Sequence, residues 1–284
     1  MVNVMYEPYT QNQFRLQLIW IPEDFRPWQW APEGAPWALP IPGLQAFWDQ
    51  QGKELPDRHD LSNGEFGARI QATAGGWEFS LFDFYSRVDN FVYSLDFTHS
   101  PLPLKFEWPR TNVIGGTFNV FNNFTATVFR GECAYTMDQP YQSALLNEII
   151  EKDTFAFMLG FDRPTMWTAI NRRSFFISGQ FFHKRILDYD SNIVSLDMST
   201  DKTQSIVSLL INTTYWHDSI TPQFLGVVDF SGNGFLQPSI KYAPTDLWEF
   251  ALSANFMWGS SDVDGYWGPM RRNDEIYTRL RIKF

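Results

Sequence analysis

Eleven charged side chains stand at positions where strict alternation along the chain sets them opposite apolar residues: Arg15, Arg69, Arg130, Arg279, Arg281 and Lys283, with Glu65, Glu78, Glu132, Asp229 and Glu249. In an extended strand, residues two apart project from the same face, so Arg130 and Glu132 point the same way. Guanidinium, ammonium and carboxylate groups gathered on one side of a wall of strands can do one of two things. They can form a constriction that selects permeants by charge, or an ion-pair network that fills a narrow interior. The sequence leaves both open. The candidate constriction residues are Arg15, Arg69, Arg130, Glu132, Glu249, Arg279, Arg281 and Lys283.

Catalytic chemistry is sparse. His99 and Ser100, with Asp96 nearby, supply the types of a nucleophilic set, but neighbours on a strand point to opposite faces and cannot share a proton. The histidines His59, His99, His183 and His217 show no metal-ligand spacing. Asp188, Asp190 and Asn192 resemble the start of a calcium loop without its later Gly and Glu, and read as a solvated loop. No catalytic set, metal or cofactor is expected. Cys133 is the single cysteine, which excludes an internal disulfide, and it is expected to be a buried free thiol. A net charge of −10 excludes nucleic acid as a natural partner, because phosphate would be repelled.

The charges need a scaffold, and the last hairpin shows what it is. In residues 248–258, Trp248, Phe250, Leu252, Ala254, Phe256 and Trp258 share one face, and Glu249, Ala251, Ser253, Asn255 and Met257 the other. Tryptophan at both ends of the apolar face is where amphipathic rings settle when a strand meets two membrane–water interfaces, so Trp77, Trp248 and Trp258 are expected in aromatic girdles. In residues 274–284, Ile276, Thr278, Leu280, Ile282 and Phe284 alternate with Tyr277, Arg279, Arg281 and Lys283. Composition agrees: 27 Phe, 12 Trp and 11 Tyr with only 19% charged residues exceed what a soluble domain needs. Mean hydropathy is nevertheless negative, because a membrane strand interleaves apolar and polar positions.

The spacing predicts an all-β chain: about twelve strands of an antiparallel transmembrane β-barrel that is incomplete in this chain, with long external loops and short periplasmic turns, as one domain over residues 1–284 forming the C-terminal part of a longer protein. The strands are placed at 14–21, 65–74, 77–86, 112–121, 124–135, 154–161, 175–182, 204–216, 222–230, 235–242, 248–258 and 274–284. Residues 2–6 look like half of a hairpin, from which further upstream sequence, including a signal peptide, is expected. Asp83 interrupts an apolar face and is expected near the outer end of its strand, where a carboxylate costs less. Residues 141–152 have Leu145, Leu146, Ile149 and Ile150 at helix spacing and read as a short helix. Short links at 75–76, 122–123, 217–220 and 243–246 nearly alternate with long ones at 22–63, 88–110, 137–153, 183–202 and 259–273. The exceptions are 231–234, short where a long link is expected, and 162–173, the reverse. The Pro- and Trp-rich segment 22–63 reads as an external loop or an inward-folded plug.

The runs FRLQLIWIPEDFRPWQWAPEGAPWALP, SNGEFGARIQATAGGWEFSLFDFY, FRGECAY and FFISGQFF resemble a Gram-negative outer-membrane protein family catalogued as domain of unknown function 1302. The resemblance implies an outer-membrane barrel with a longer N-terminal half than this chain has, and lipid-like or other hydrophobic compounds as cargo. The expected partners are the lipid bilayer, lipopolysaccharide and the barrel-assembly machinery, the last reading Ile276, Leu280, Ile282 and Phe284 as an assembly signal. The functional expectation is a channel or transporter-like barrel for hydrophobic or amphipathic small molecules, in the outer membrane and without enzymatic activity. The alternatives are a structural or adhesion barrel acting through its loops, and a soluble aromatic-rich carbohydrate binder.

Overall fold

The computed structural model describes residues 1–9, 13–22, 31–32, 34–35, 37–38, 43, 46, 52–55, 57, 60–95, 104–144, 148–194, 201–260 and 267–283. In chain order its strands are β1 (Val2–Tyr6), β2 (Arg15–Ile21), β3 (Gly52–Glu54), β4 (Glu65–Ala74), β5 (Trp77–Arg87), β6 (Val92–Leu95), β7 (Leu104–Glu107), β8 (Arg110–Asn122) and β9 (Thr127–Ser143). They continue as β10 (Ile149–Met166), β11 (Ser174–Ile186), β12 (Ile193–Val194), β13 (Thr203–Asn212), β14 (Ile220–Asp229), β15 (Gly234–Tyr242), β16 (Trp248–Trp258) and β17 (Glu275–Ile282). No helix long and apolar enough to cross a membrane occurs among the described residues, which says nothing about strands.

Thirteen of the strands form one antiparallel meander in the order β1-β2-β4-β5-β8-β9-β10-β11-β13-β14-β15-β16-β17, with β12 attached to β9. These are the twelve stretches read from alternation plus the half-hairpin at the start, and β1 does pair with β2, Val4 opposite Leu18. Two-residue turns are possible because Gly75 and Gly76 both adopt positive φ, +59° and +82°, between β4 and β5. Closure is not found: among the described residues β1 pairs only with β2 and β17 only with β16, so the sheet is open.

The structure corrects several expectations. Among the described residues of 141–152 there is strand and no helix: β9 runs on to Ser143 and β10 begins at Ile149, with Ile150 buried against Ile186 and Ile193, while Leu145 and Leu146 lie outside the described residues. The long link expected at 137–153 therefore shrinks to 144–148. A register shift between Lys152 and Thr154 lets the pair continue past the other strands, with the Asp153 carboxylate accepting from the Asp138 N–H (3.1 Å) and the Tyr135 hydroxyl. Four strands lie inside long links that read as loops. β3, β7 and β6 make a separate small sheet over one end of the meander, where burial pushes the Tyr93 phenol up and its N–H donates to Gln142 Oε1 at 2.7 Å.

Candidate functional site

Directly opposed residues in an antiparallel sheet share a face, so each face can be read across the meander. One row runs Trp77, Val120, Phe129, Phe161, Gly179, Leu209, Gly226, Leu236, Phe256, through nine strands without a charge. The row next to it runs Glu78, Asn119, Arg130, Gly160, Gln180, Ser208, which is polar except for its glycine. The apolar face is the exposed one. Leu81 is 69% exposed and Phe66 50%, whereas Ser80 is 3% and Glu249 7% exposed. Along β16 exposed Trp248, Phe250, Leu252, Phe256 and Trp258 alternate with buried Glu249, Ser253, Asn255 and Met257. A folded chain in water reverses that arrangement.

The exposed face is closely fitted. The Phe118 ring lies over Gly131 and the Phe161 ring over Gly179, so that a Cβ added at Gly131 would stand 2.2 Å from Phe118 Cε1. Trp77 and Trp248 mark one end of this face, each stacked on the next aromatic of its strand, Phe79 at 5.5 Å and Phe250 at 6.2 Å. Trp258 stands at the other end of β16. Asp83 is on the exposed face, opposite Ala68 and Ile114 and between Leu81 and Tyr85, short of the strand's end at Arg87. Cys133, expected to be buried, is also exposed here, between Gly116 and Phe157 in register, because its parity on β9 is that of Phe129 and not of Arg130.

The covered face carries the charges singled out from sequence, but not in one cluster. Arg130 and Glu132 share this face, yet Arg130 reaches across Gly160 to Asp162 Oδ1 at 3.3 Å and Ser178 Oγ at 3.4 Å, and not to Glu132. Glu249 sits between Arg279 and Arg281, each at 3.7 Å; both guanidiniums are more than half exposed. Arg15 pairs with Glu7 near the sheet edge. Arg69 has no ion pair among the described residues, and its Nε is buried without a hydrogen-bond partner. Glu65 accepts from the Arg87 N–H at 3.0 Å, and Glu78 from the Gln71 amide. Asp229 is bonded by Asn233 through N–H (2.8 Å) and Nδ2 (3.0 Å). Lys283 is exposed and its backbone N–H donates to Leu247 O at 2.9 Å, while Phe284 lies outside the described residues.

Three further features escaped the sequence. Facing the same way as Arg130, Phe82, Ala134, Ala156, Met158, Phe182 and Ile206 line an open groove of about 350 Å³, with Glu132 and Lys184 on its border. Opposed partners such as Phe82 with Gly115 and Met158 with Glu132 are set by register, which strand positions alone do not give. Phe235, Met257 and Met270 form a buried cluster on the covered face. Trp37 packs edge-on against Phe235 at 5.2 Å, and Ala38 O accepts from Asn273 Nδ2 at 3.5 Å. These described parts of segment 22–63 therefore sit against the covered face; Trp28, Trp30 and Trp48 lie outside the described residues, as do Asp96, His99 and Ser100. No group of three or more His, Cys, Asp or Glu suited to a metal occurs among the described residues. The Asp190 carboxylate accepts from the Asn192 N–H at 2.9 Å, an ordinary turn.

The model of a family described as "Protein of unknown function (DUF1302)" matches residues 49–284. No curated protein and no solved structure matches the chain.

Proposed function

We propose that this chain, which belongs to the DUF1302 family of proteins of unknown function, is a transmembrane β-barrel of a Gram-negative outer membrane and acts as a channel or transporter for hydrophobic or amphipathic small molecules. One observation carries the reading: the meander presents a broad, predominantly apolar face outward, broken by charge at positions such as Asp83, Arg163 and Arg185, and puts serine, asparagine and carboxylates beneath it. A soluble monomer rarely exposes a contiguous apolar patch above a few hundred Å². Hydrocarbon removes that cost, since the exposed rings and branched chains then meet lipid. Among the described residues, backbone hydrogen bonds of the meander are met between strands, which leaves the edges β1 and β17 to be paired by further strands or by each other.

In this reading the end bearing the links 75–76, 123–126, 167–173, 213–219 and 243–247 is periplasmic, and the opposite end, with the small sheet β3-β7-β6, faces outside. The covered face is the lumen, and Trp37 lies against its wall as part of a plug. Lipid and lipopolysaccharide contact the apolar face, and the assembly machinery pairs with the edge of β17 while reading Ile276, Leu280, Ile282 and Phe284. The test is fractionation followed by planar-bilayer recording. The reading expects recovery from the outer membrane by detergent only, heat-modifiable mobility and discrete conductance steps. A monomer soluble without detergent overturns the barrel, and a folded barrel without conductance or uptake turns the function towards a structural or adhesive role.

A further inference from the structure

The covered face carries most of the meander's charges, and beside its buried apolar cluster at Phe235, Met257 and Met270 it holds an apolar depression that is open, the groove. Its floor is made by Ala134, Ala156, Met158 and Phe182 from β9, β10 and β11, closed on one side by Phe82 and on the other by Ile206. Phe82 lies flat because Gly115 opposes it, where a Cβ would come within 2.3 Å of the ring. Alanine opposite alanine at Ala134 and Ala156 then leaves the depression between the larger side chains. A volume of about 350 Å³ lies within the range of small-molecule pockets.

The electrostatics of the groove are as unusual as its floor. On this face Glu65, Glu78, Asp162, Asp229, Glu249 and Glu275 all hold a hydrogen-bond or ion-pair partner. Glu132, at the rim of the groove opposite Met158, has none among the described residues, since its neighbour Arg130 is engaged by Asp162 and Ser178. Lys184, the cation on the border, is drawn over the Tyr141 ring, 5.6 Å from its centroid, and Arg69 lies beyond Phe82. A carboxylate with open acceptor sites beside an apolar trough fits a molecule with a cationic head and a hydrophobic body.

Resting on the lumenal reading of this face, we propose that the groove is a binding site for amphipathic cations, with the head group on Glu132 and the apolar body over Ala134, Ala156, Met158 and Phe182. The test uses the full chain folded in detergent and equilibrium dialysis with radiolabelled octylammonium, octanoate and octanol. Octylammonium is expected to bind saturably and about tenfold more tightly than octanol, with octanoate the weakest, as a charge-assisted hydrogen bond to one head group requires. Glu132→Gln should remove that tenfold preference while leaving octanol unchanged, and Met158→Trp, which fills the trough, should weaken both. Equal affinities for the three head groups, a preference for octanoate, or an unaltered preference in Glu132→Gln overturns the site. The channel reading is tested apart from it. Saturable binding without bilayer conductance keeps the site and overturns the channel, whereas conductance without saturable binding overturns the site alone.

Discussion

Replacing Leu81 by arginine separates a lipid-facing wall from a water-facing one, because the two predict costs of different size. Leu81 is 69% exposed, so in water Leu81→Arg disturbs little and should change stability by no more than about 0.5 kcal/mol. In a bilayer its depth decides. It lies four residues along β5 from Trp77, about 13 Å at roughly 3.3 Å per residue, or about 10 Å towards the centre once a strand tilt near 40° is allowed for. That is close to the middle of an apolar band about 25 Å tall, where arginine costs ~2–4 kcal/mol. The folding equilibrium should fall roughly 30- to 700-fold. Phe124, 98% exposed in the turn between β8 and β9, supplies the control: at the interface Phe124→Arg should cost ~0–1 kcal/mol. Both variants are compared by reversible guanidinium unfolding in phospholipid vesicles, followed by tryptophan fluorescence. Equal effects at the two positions, with Leu81→Arg inside 0.5 kcal/mol, refute the reasoning.

Three further outcomes follow from the same geometry. Reversing Arg279, Arg281 and Lys283 to glutamate surrounds buried Glu249 with like charge, and reversal potentials across a salt gradient should move towards cation preference; unchanged potentials mean that these side chains lie off the permeation path. Gly131→Ala drives a methyl into the Phe118 ring and should destabilise by ~1–3 kcal/mol in the same vesicle unfolding assay, with Gly131→Ala/Phe118→Leu recovering most of it. Deleting Phe284 should lower assembled, heat-modifiable barrel in cells far more than refolding in detergent, since a terminal ring contributes at most ~1.5–3 kcal/mol by burial; equal losses in both would assign it to packing.

Alternation made the meander legible: all thirteen strands of the path were visible as residues two apart with a common character, and the paired glycines marked one turn. What failed did so for physical reasons. Residues 141–152 carry a pattern short enough to suit either period, and pairing of β9 with β10 decided for strand at 141–142 and 149–152. The small sheet within the long links buries Val92 and Phe106, but its strands of three or four residues are too short to show an alternation. Cys133 was misplaced because its residue type argued for burial, whereas its parity, an odd three residues from Arg130, puts it outward. The constriction residues were found as a set, but only register shows that Arg130 serves Asp162 and leaves Glu132 open.

Cys133 also supplies the most direct test. As the one cysteine in the chain, exposed on the apolar face between Gly116 and Phe157, it can carry an environment-sensitive fluorophore without other substitutions. With the labelled protein folded in vesicles, the membrane-wall account predicts blue-shifted emission, strong quenching by lipids bearing a nitroxide on the acyl chain, and little quenching by aqueous iodide. Efficient iodide quenching with no effect of the nitroxide lipids would place that face in water and contradict the account.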